Sequence, residues 1–236
     1  MTAVATMNAA PAAPQLEAIE VALHGGTLAR LRVAGRSLYR LSRNSEDTTQ
    51  ALLLGIALNS QRFAEVLGRF AIDPVGAELL EARPSIDSHH VDFDALRALP
   101  DGTLGREYMR FLEEGELDAD FFQAPPGLPP LLAYLAKRIR QSHDLWHVVT
   151  GFSSDVPDEI GLQAFTYAQM RVPSAMLLTV FGLLRWGPIR PSTVAKVWRG
   201  ARLGRDSTYL PTVRWEDHWE RPLDELREEL GLARAG

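Results

Sequence analysis

Residues 131–150 read LLAYLAKRIRQSHDLWHVVT and, after a short loop, residues 156–170 read VPDEIGLQAFTYAQM. Apolar residues recur at helical spacing in both segments, whereas the alternating β-branched runs that are typical of strands are missing from the chain. Ser154 or Asp155 is a natural N-cap for the second segment. The intervening loop contains Gly151, so the second helix can fold back antiparallel on the first. This stretch predicts a helix-loop-helix within an all-α fold.

The same helical spacing continues on both sides of this stretch. Further helices are expected at residues 15–23, 27–41, 48–70, 74–82, 103–114, 174–186, 192–203 and 223–230. Glycine and proline separate most of them, and no repeat of fixed period indicates a solenoid. We therefore predict a compact single-domain multi-helix bundle over residues 15–236. An Ala- and Pro-rich tail over residues 1–14 is expected to be disordered.

Composition excludes several functional classes. The 236 residues are 46% hydrophobic and 23% charged, which is enough to bury a core without disulfides or structural metals. The net charge is -5 and both signs are interspersed, so no broad basic face is expected and nucleic acid is not expected as a partner. Cysteine is absent, which leaves His, Asp and Glu as the side chains suited to a catalytic metal.

A candidate metal site lies in the helix-loop-helix. His143 and His147 are four residues apart, so both imidazoles project from one face of a helix. Glu159 falls near the start of the next helix and can return to the level of His147 as a carboxylate ligand. Asp144, about 100° around the helix from His143, could bind the metal directly, bind it through water or accept a hydrogen bond from a ligand. Two histidines with one carboxylate are typical of an open catalytic site.

Two further features have alternative interpretations. Arg140 lies on the same helical stripe, where its guanidinium could bind a substrate carboxylate or form a salt bridge to Glu159 or Asp144. The apolar run PSAMLLTVFGLL at residues 173–184 is too short to span a bilayer, which takes about 20 residues. It could be a central core helix or the wall of a cavity for an apolar ligand.

The central motif resembles that of a known family. His143-Asp144-Leu145-Trp146-His147, with eleven residues before Glu159, resembles the HDxxH(x11)E signature of the coenzyme Q (ubiquinone) biosynthesis protein four family. Upstream, residues 99–108 resemble its LPxGTLGxxY segment, and residues 215–231 resemble its WE…PLxxLRxELG ending. Trp146 stands where the family is expected to carry Tyr or Phe. The start of the chain lacks a mitochondrial-type presequence, and together these features indicate a bacterial-type member.

This resemblance implies a divalent metal, a lipid cavity and a reaction. The implied metal is zinc, although an oxygen-using step would favour iron or manganese at the same ligands, since zinc does not change oxidation state. The expected metal ligands are His143, Asp144, His147 and Glu159. The implied reaction is the oxidative decarboxylation of a polyprenylated hydroxybenzoate, with Asp144, Glu159 and Arg140 as the catalytic residues.

The implied cavity would hold a polyprenyl tail. Its expected lining residues come from the helix at 173–184 and the helix at 48–70, and they are Met176, Leu177, Val180, Phe181, Leu52 and Ile56. The rival interpretation is a non-catalytic protein that presents lipid intermediates to other enzymes, with a metal that only fixes the helices. A third is a metallohydrolase that uses a water activated at the HDxxH site.

The resemblance also implies partners and a location. Expected partners are a polyprenylated aromatic quinone precursor and other coenzyme Q biosynthesis proteins, and a homodimer is left open. The expected location is cytoplasmic and peripheral to the inner membrane. Residues 196–205 carry four cations on a basic face that is either solvated or rests on anionic lipid headgroups; they are Lys196, Arg199, Arg202 and Arg205.

Overall fold

The computed structural model describes residues 13–44, 48–121, 124 and 128–232 of the chain. Its α-helices are α1 (Ala13–His24), α2 (Thr27–Arg43), α3 (Thr48–Ile72), α4 (Pro74–Ala82), α5 (Phe93–Arg97), α6 (Leu104–Glu114), α7 (Pro130–Thr150), α8 (Val156–Met170), α9 (Pro173–Trp186), α10 (Ser192–Asp206) and α11 (Leu223–Glu229). Two 3₁₀ turns, Leu210–Thr212 and Trp215–Asp217, lie between α10 and α11.

The predicted all-α class is confirmed. Across the described residues there is no strand, and a single isolated bridge joins Thr103 to Pro222. The predicted helices agree with the structure to within a few residues, and the largest extension is at the end of α10, which reaches Asp206. The short helix α5 is an addition that the spacing does not predict.

The prediction of a disordered tail over residues 1–14 falls mostly on residues that the structure does not describe. Residues 1–12 of the expected disordered tail are not described, and its last two residues, Ala13 and Pro14, begin α1 instead. The assignment of residues 15–236 to one domain stays a prediction. None of the described helices is both long and apolar enough to cross a membrane.

The turn between α7 and α8 has a capping residue at each side. Gly151 ends α7 with φ 69°, a left-handed conformation that favours glycine, and its N–H donates to the carbonyl oxygen of His147 at 2.9 Å. Asp155 begins α8 by accepting a hydrogen bond from the N–H of Asp158 at 2.9 Å. Of the two candidate caps, Ser154 and Asp155, the structure therefore uses Asp155.

The main hydrophobic core surrounds α7 and α8. Trp146 of α7 and Phe165 of α8 are fully buried, and their ring centroids lie 6.0 Å apart. Helix α10 packs closely against α8, because a Cβ atom on Gly200 would lie 2.0 Å from the carbonyl oxygen of Gly161. Only glycine allows this backbone approach, so the position of α8 against α10 is fixed.

A second apolar cluster joins α1, α2, α3 and α9. Its buried members are Ala22, Ala34, Leu54, Ile56 and Ala57. Leu177 and Leu178 of α9 pack against it. Asn59 of α3 also holds the start of α9, since its amide nitrogen donates to the hydroxyl of Ser174 at 2.7 Å. The first three helices and α9 therefore share one packing layer.

The loop before α5 is held against α7 by a buried carboxylate. Asp87 accepts hydrogen bonds from the hydroxyl of Ser85 at 2.5 Å and from the ammonium of Lys137 at 2.9 Å, and Nδ1 of His90 lies 2.5 Å away. Burial alone would raise the pKa of Asp87, but these three partners hold that pKa well below its usual range. The carboxylate is therefore ionised at neutral pH and stabilises the folded loop.

Candidate metal centre

Three side chains from α7 and α8 converge on one point. His143 and His147 stand one turn apart on α7, and Glu159 projects from the first turn of α8. Nε2 of His147 lies 3.2 Å from Oε2 of Glu159, and Nε2 of His143 lies 3.7 Å from Oε1. One possible ligand atom from each residue lies within 4.8 Å of the others. The structure thus brings together three of the four predicted metal ligands.

His147 is held in one orientation and one tautomer. Its Nδ1 lies 3.1 Å from the carbonyl oxygen of Phe152, which can only accept a hydrogen bond, so Nδ1 carries the proton. The ring of Phe111 stacks on the imidazole with 4.9 Å between centroids. Nε2 is therefore free to face Glu159, which is the arrangement found where a histidine binds a metal.

Asp144, the fourth predicted ligand, lies next to His143. Its Oδ1 lies 3.7 Å from Nδ1 of His143, a distance too long for a hydrogen bond. Nδ1 of His143 is buried and has no hydrogen-bond partner among the described residues. The other neighbour of Asp144 is Arg140, whose Nη1 donates to Oδ1 at 2.8 Å. Of the interpretations for Arg140, the salt bridge to Asp144 is therefore observed.

The charges of the site are coupled. Desolvation alone would raise the pKa of Glu159, but the charge on His143 and the hydrogen bond from His147 hold it well below its usual range. Desolvation would lower the pKa of His147, but the hydrogen bond and charge of Glu159 raise it. Burial would raise the pKa of Asp144, but His143 and Arg140 lower it. Both carboxylates are therefore anionic at neutral pH, and they favour a cation between the two imidazoles.

The donor set fits a divalent metal. Ligand bonds of about 2.1 Å in a tetrahedral arrangement place ligand atoms about 3.4 Å apart. The two distances from Glu159 lie on either side of this value, and the three candidate ligand atoms all lie within 4.8 Å of one another. Nitrogen and carboxylate donors suit zinc, iron and manganese alike. Three protein ligands leave positions open for water or substrate, and the side chain of Glu159 is 39% exposed.

Three aromatic residues of the site were not predicted. Phe111 stacks on His147, and Phe152 supplies only its backbone carbonyl, a role that leaves no signal in the sequence. Tyr108 is buried, and burial together with the negative charge of Asp144 raises its pKa, so its phenol stays protonated. Tyr108 does lie within the segment 99–108, but spacing there does not indicate a role in the site.

Two arginines hold the end of α7 just beyond His147. Arg199 of α10 donates to the carbonyl oxygen of Thr150, and its guanidinium carbon lies 4.4 Å from the ring centroid of Phe152. Arg227 of α11 donates to the carbonyl oxygens of residues 148–149 at 2.9 and 3.0 Å. Cations are favourable at the carboxyl end of a helix, so this pair stabilises the backbone that orients His147.

This finding changes the interpretation of the basic face on α10. Arg199 faces inward, and Lys196 pairs with Asp158 at 2.6 Å. Arg202 lies 3.9 Å from Asp206. At least three of the four cations predicted to be solvated or to meet lipid thus have partners within the protein.

The residues predicted to line a lipid cavity lie on two neighbouring helices, α3 and α9. Ile56 is buried in the second apolar cluster, and Leu177 packs against that cluster. Met176 and Val180 are 46% and 48% exposed, so α9 lies at the edge of the fold and is not a central core helix. Phe181 is half-buried, and the side chain of Leu52 lies outside the described residues. The cavity itself stays a prediction.

Comparison with known proteins gives consistent matches. Residues 25–235 match the family described as "Coenzyme Q (ubiquinone) biosynthesis protein Coq4". The chain is 34% identical over 184 residues to a mitochondrial ubiquinone biosynthesis protein COQ4 homolog of Danio rerio, which covers 76% of this chain and 68% of the relative. It is 33% identical over 181 residues to the homolog of Nematostella vectensis, covering 72% and 85%. A crystal structure of a candidate ubiquinone biosynthesis protein from Nostoc punctiforme aligns with TM-score 0.70 and 28% identity, over 86% of this chain and 96% of that one.

Proposed function

Because the chain belongs to the Coq4 family of coenzyme Q biosynthesis proteins, we propose that it is a metal-dependent enzyme that decarboxylates a polyprenylated hydroxybenzoate. The family predicted from the HDxxH motif is thereby confirmed, while the bacterial-type assignment stays a prediction. The observation that carries the proposal is the open group formed by His143, His147 and Glu159. A site that served only to fix helices would have no need for a partly exposed carboxylate ligand.

The residues of this chain have distinct proposed roles. His143, His147 and Glu159 hold the divalent ion, which supplies a positive centre for a carboxylate or phenolate and for charge that develops on the ring. Asp144 either binds that ion or fixes His143 through Nδ1, which is the atom it faces. Arg140 uses one donor on Asp144, and its side chain is 40% exposed. A guanidinium has five N–H donors, so Arg140 can also hold the substrate carboxylate.

The proposed reaction removes carbon dioxide from the ring. Simple decarboxylation replaces the carboxyl group by a proton. Oxidative decarboxylation replaces it by a hydroxyl group and withdraws two electrons, so it needs an oxidant such as dioxygen. The two versions differ in the metal they favour, since zinc is redox-inert and iron or manganese is not. We propose zinc as the first candidate and iron or manganese if dioxygen is consumed.

The proposed tail site lies between α3 and α9. Met176, Leu177, Val180 and Phe181 on α9 would meet Leu52 and Ile56 on α3 along the second apolar cluster. Burial of a methylene group contributes about 0.8 kcal/mol, so several isoprene units would dominate the affinity. The exposed apolar residues of α9 support this proposal, because they would otherwise remain in water.

The proposed setting follows from the same pathway. Its partners would be the polyprenylated quinone precursor and other coenzyme Q biosynthesis proteins, and a homodimer is one arrangement for such an assembly. We propose a location in the cytoplasm at the inner membrane for this chain.

The test compares turnover and metal content. Purified protein loaded with zinc, iron or manganese is supplied with a defined prenylated hydroxybenzoate, with and without dioxygen, and the product is identified by mass. Glu159→Gln should abolish turnover because it removes the ligand charge, while Glu81→Gln, a matched change on an exposed turn of α4, should not. A folded Glu159→Gln protein that supports undiminished quinone synthesis in cells would refute the enzymatic proposal and favour a lipid-presenting role.

A further inference from the structure

Helix α2 carries an unusual concentration of positive charge. It contains five arginines and no Asp or Glu over residues 27–43, although the whole chain has a net charge of -5. Arg30 faces the protein, because its guanidinium donates to the hydroxyl of Ser60 at 2.6 Å. The other four are Arg32, Arg36, Arg40 and Arg43.

These four arginines form one exposed stripe. Their spacing of four, four and three residues places them on one side of the helix, and each is exposed. None of them has a hydrogen bond or an ion pair with any residue that the structure describes, in contrast to Lys196 and Arg199 on α10. Four guanidiniums on one stripe, with no carboxylate partner in the part of the chain that the structure describes, produce a local positive field on an acidic protein.

A stripe of apolar side chains runs beside the arginines. Leu28, Leu31 and Tyr39 are 63%, 54% and 64% exposed, and their spacing keeps them within one quadrant of the helix. The opposite side of α2 packs inward through Ala34 and Ser37. The solvent side is therefore itself divided into an apolar half and a basic half.

We propose that this α2 face, defined by Leu28, Leu31, Tyr39 and the four arginines, docks on the surface of a lipid bilayer that carries anionic headgroups. A helix of 17 residues is about 25 Å long and can lie in the interface plane along its whole length. The apolar half enters the headgroup boundary while the guanidiniums meet lipid phosphates, and arginine stems can cover apolar surface as they do so.

The pattern fits a bilayer better than it fits an acidic protein. The apolar residues form a convex stripe and not a groove, and a planar interface contacts both halves of the face at once. The proposal depends on the charge and exposure of α2 and is independent of the metal chemistry. It also places the docking helix in the same layer as α9, since both contribute to the second apolar cluster.

The test measures binding of the full chain to vesicles. Phosphatidylcholine vesicles with and without phosphatidylglycerol are mixed with protein and floated through a density gradient. Arg32→Gln with Arg36→Gln is compared with Arg83→Gln and Arg205→Gln, two exposed arginines on other elements. Each pair removes two positive charges and takes the net charge from -5 to -7, so both variants have the same overall charge.

Much weaker binding to anionic vesicles is expected only for the α2 pair, the variant with Arg32→Gln and Arg36→Gln. Each arginine near an anionic surface contributes about 1 kcal/mol, so the α2 pair should weaken binding to anionic vesicles about thirty-fold, against less than about three-fold for the control pair. Equal losses in the two pairs, or equal binding of the unaltered chain to neutral vesicles, would overturn the proposal.

Two further readouts separate other outcomes. If the variant with Arg32→Gln and Arg36→Gln changed its oligomeric state and still bound vesicles as before, the α2 face would be a contact with a second copy or an acidic protein. That result would also overturn the proposal. Metal content and turnover of a detergent-dispersed substrate should be unchanged in the α2 pair. Loss of vesicle binding with metal content retained therefore supports this inference, whether or not the proposed reaction is correct.

Discussion

Asp144→Asn tests whether Asp144 binds the metal or orients a ligand. Oδ1 of Asp144 lies 2.8 Å from Nη1 of Arg140 and 3.7 Å from Nδ1 of His143, and its carboxylate lies outside the group of three ligand atoms. The substitution keeps the size of the side chain and removes its charge. If Asp144 only orients His143, a neutral amide oxygen can still face Nδ1, and a weaker version of the contact remains.

The size of the effect follows from these contacts. Replacing a residue that orients a metal ligand costs about 10-fold to 100-fold in metal affinity, which is about 1.4 to 2.7 kcal/mol. Because Oδ1 of Asp144 lies 3.7 Å from Nδ1 of His143, too far for a hydrogen bond, and asparagine keeps the size of the side chain, we expect the lower part of this range. Loss of a direct ligand should cost far more, and His147→Ala provides that reference within the same protein.

The assay is a titration of metal-free protein with zinc in competition with a coloured chelator. Asp94→Asn, which changes a carboxylate that is 91% exposed on α5, is the matched control, and thermal unfolding of each metal-free protein shows whether it is folded. A loss as large as that of His147→Ala would refute the orienting role and make Asp144 a ligand. An unchanged affinity would refute both roles.

Three other predictions concern stability and lipid. Glu216→Ala should lower the free energy of unfolding by about 3–5 kcal/mol, because it leaves the fully buried guanidinium of Arg138 without its carboxylate. Arg138→Met removes that buried charge and should cost less. Urea unfolding gives both values, and a larger loss in Arg138→Met than in Glu216→Ala would contradict this explanation. Asp87→Asn should lose about 1.5–3 kcal/mol at pH 7. Since the pKa of Asp87 is lowered by folding, that deficit should shrink as the pH falls below about 4, and a deficit that instead grows as the pH falls through this range would be inconsistent with a stabilising carboxylate. Val180→Trp should reduce the lipid that co-purifies with the protein while changing the melting temperature little, because Val180 is half exposed. Leu184→Trp, one turn farther along α9, is the control. A large fall in the melting temperature of Val180→Trp, with the amount of lipid unchanged, would exclude α9 as a channel wall.

The sequence predicted those features that depend on local spacing. Helical periodicity placed α7 and α8 to within one residue, and the four-residue spacing of His143 and His147 put both rings on one face. Glu159 was found because its place in the first turn of α8 depends on a cap and a short loop, which are also local. Local rules were sufficient for these three residues because the two helices that carry them are adjacent in the chain.

Features that depend on distant packing were not predicted. The carbonyl of Phe152 and the guanidinium of Arg199 fix the end of α7, but neither contact leaves a pattern in the residues around them. The arginines of α2 and α10 also show that side-chain contacts set by tertiary packing cannot be predicted from local sequence. Arginines on α10 and α2 look alike as sequence, yet Arg199 is turned inward and Arg36 is exposed, because the partner surface of each helix is set by tertiary packing.

The charge balance around the metal centre connects its geometry with the class of substrate. Glu159 and Asp144 each carry one negative charge and Arg140 carries one positive charge, while the two imidazoles are neutral when they bind a metal. With a divalent ion the site therefore has a net charge of about +1, and Arg138 adds nothing because it is paired with Glu216. A benzoate, the proposed substrate, would neutralise this charge, whereas a head group that has lost its carboxylate and keeps a protonated phenol would not. The site is thus expected to bind the proposed carboxylated substrate more tightly than a product with a neutral head group, which would favour product release in the proposed reaction.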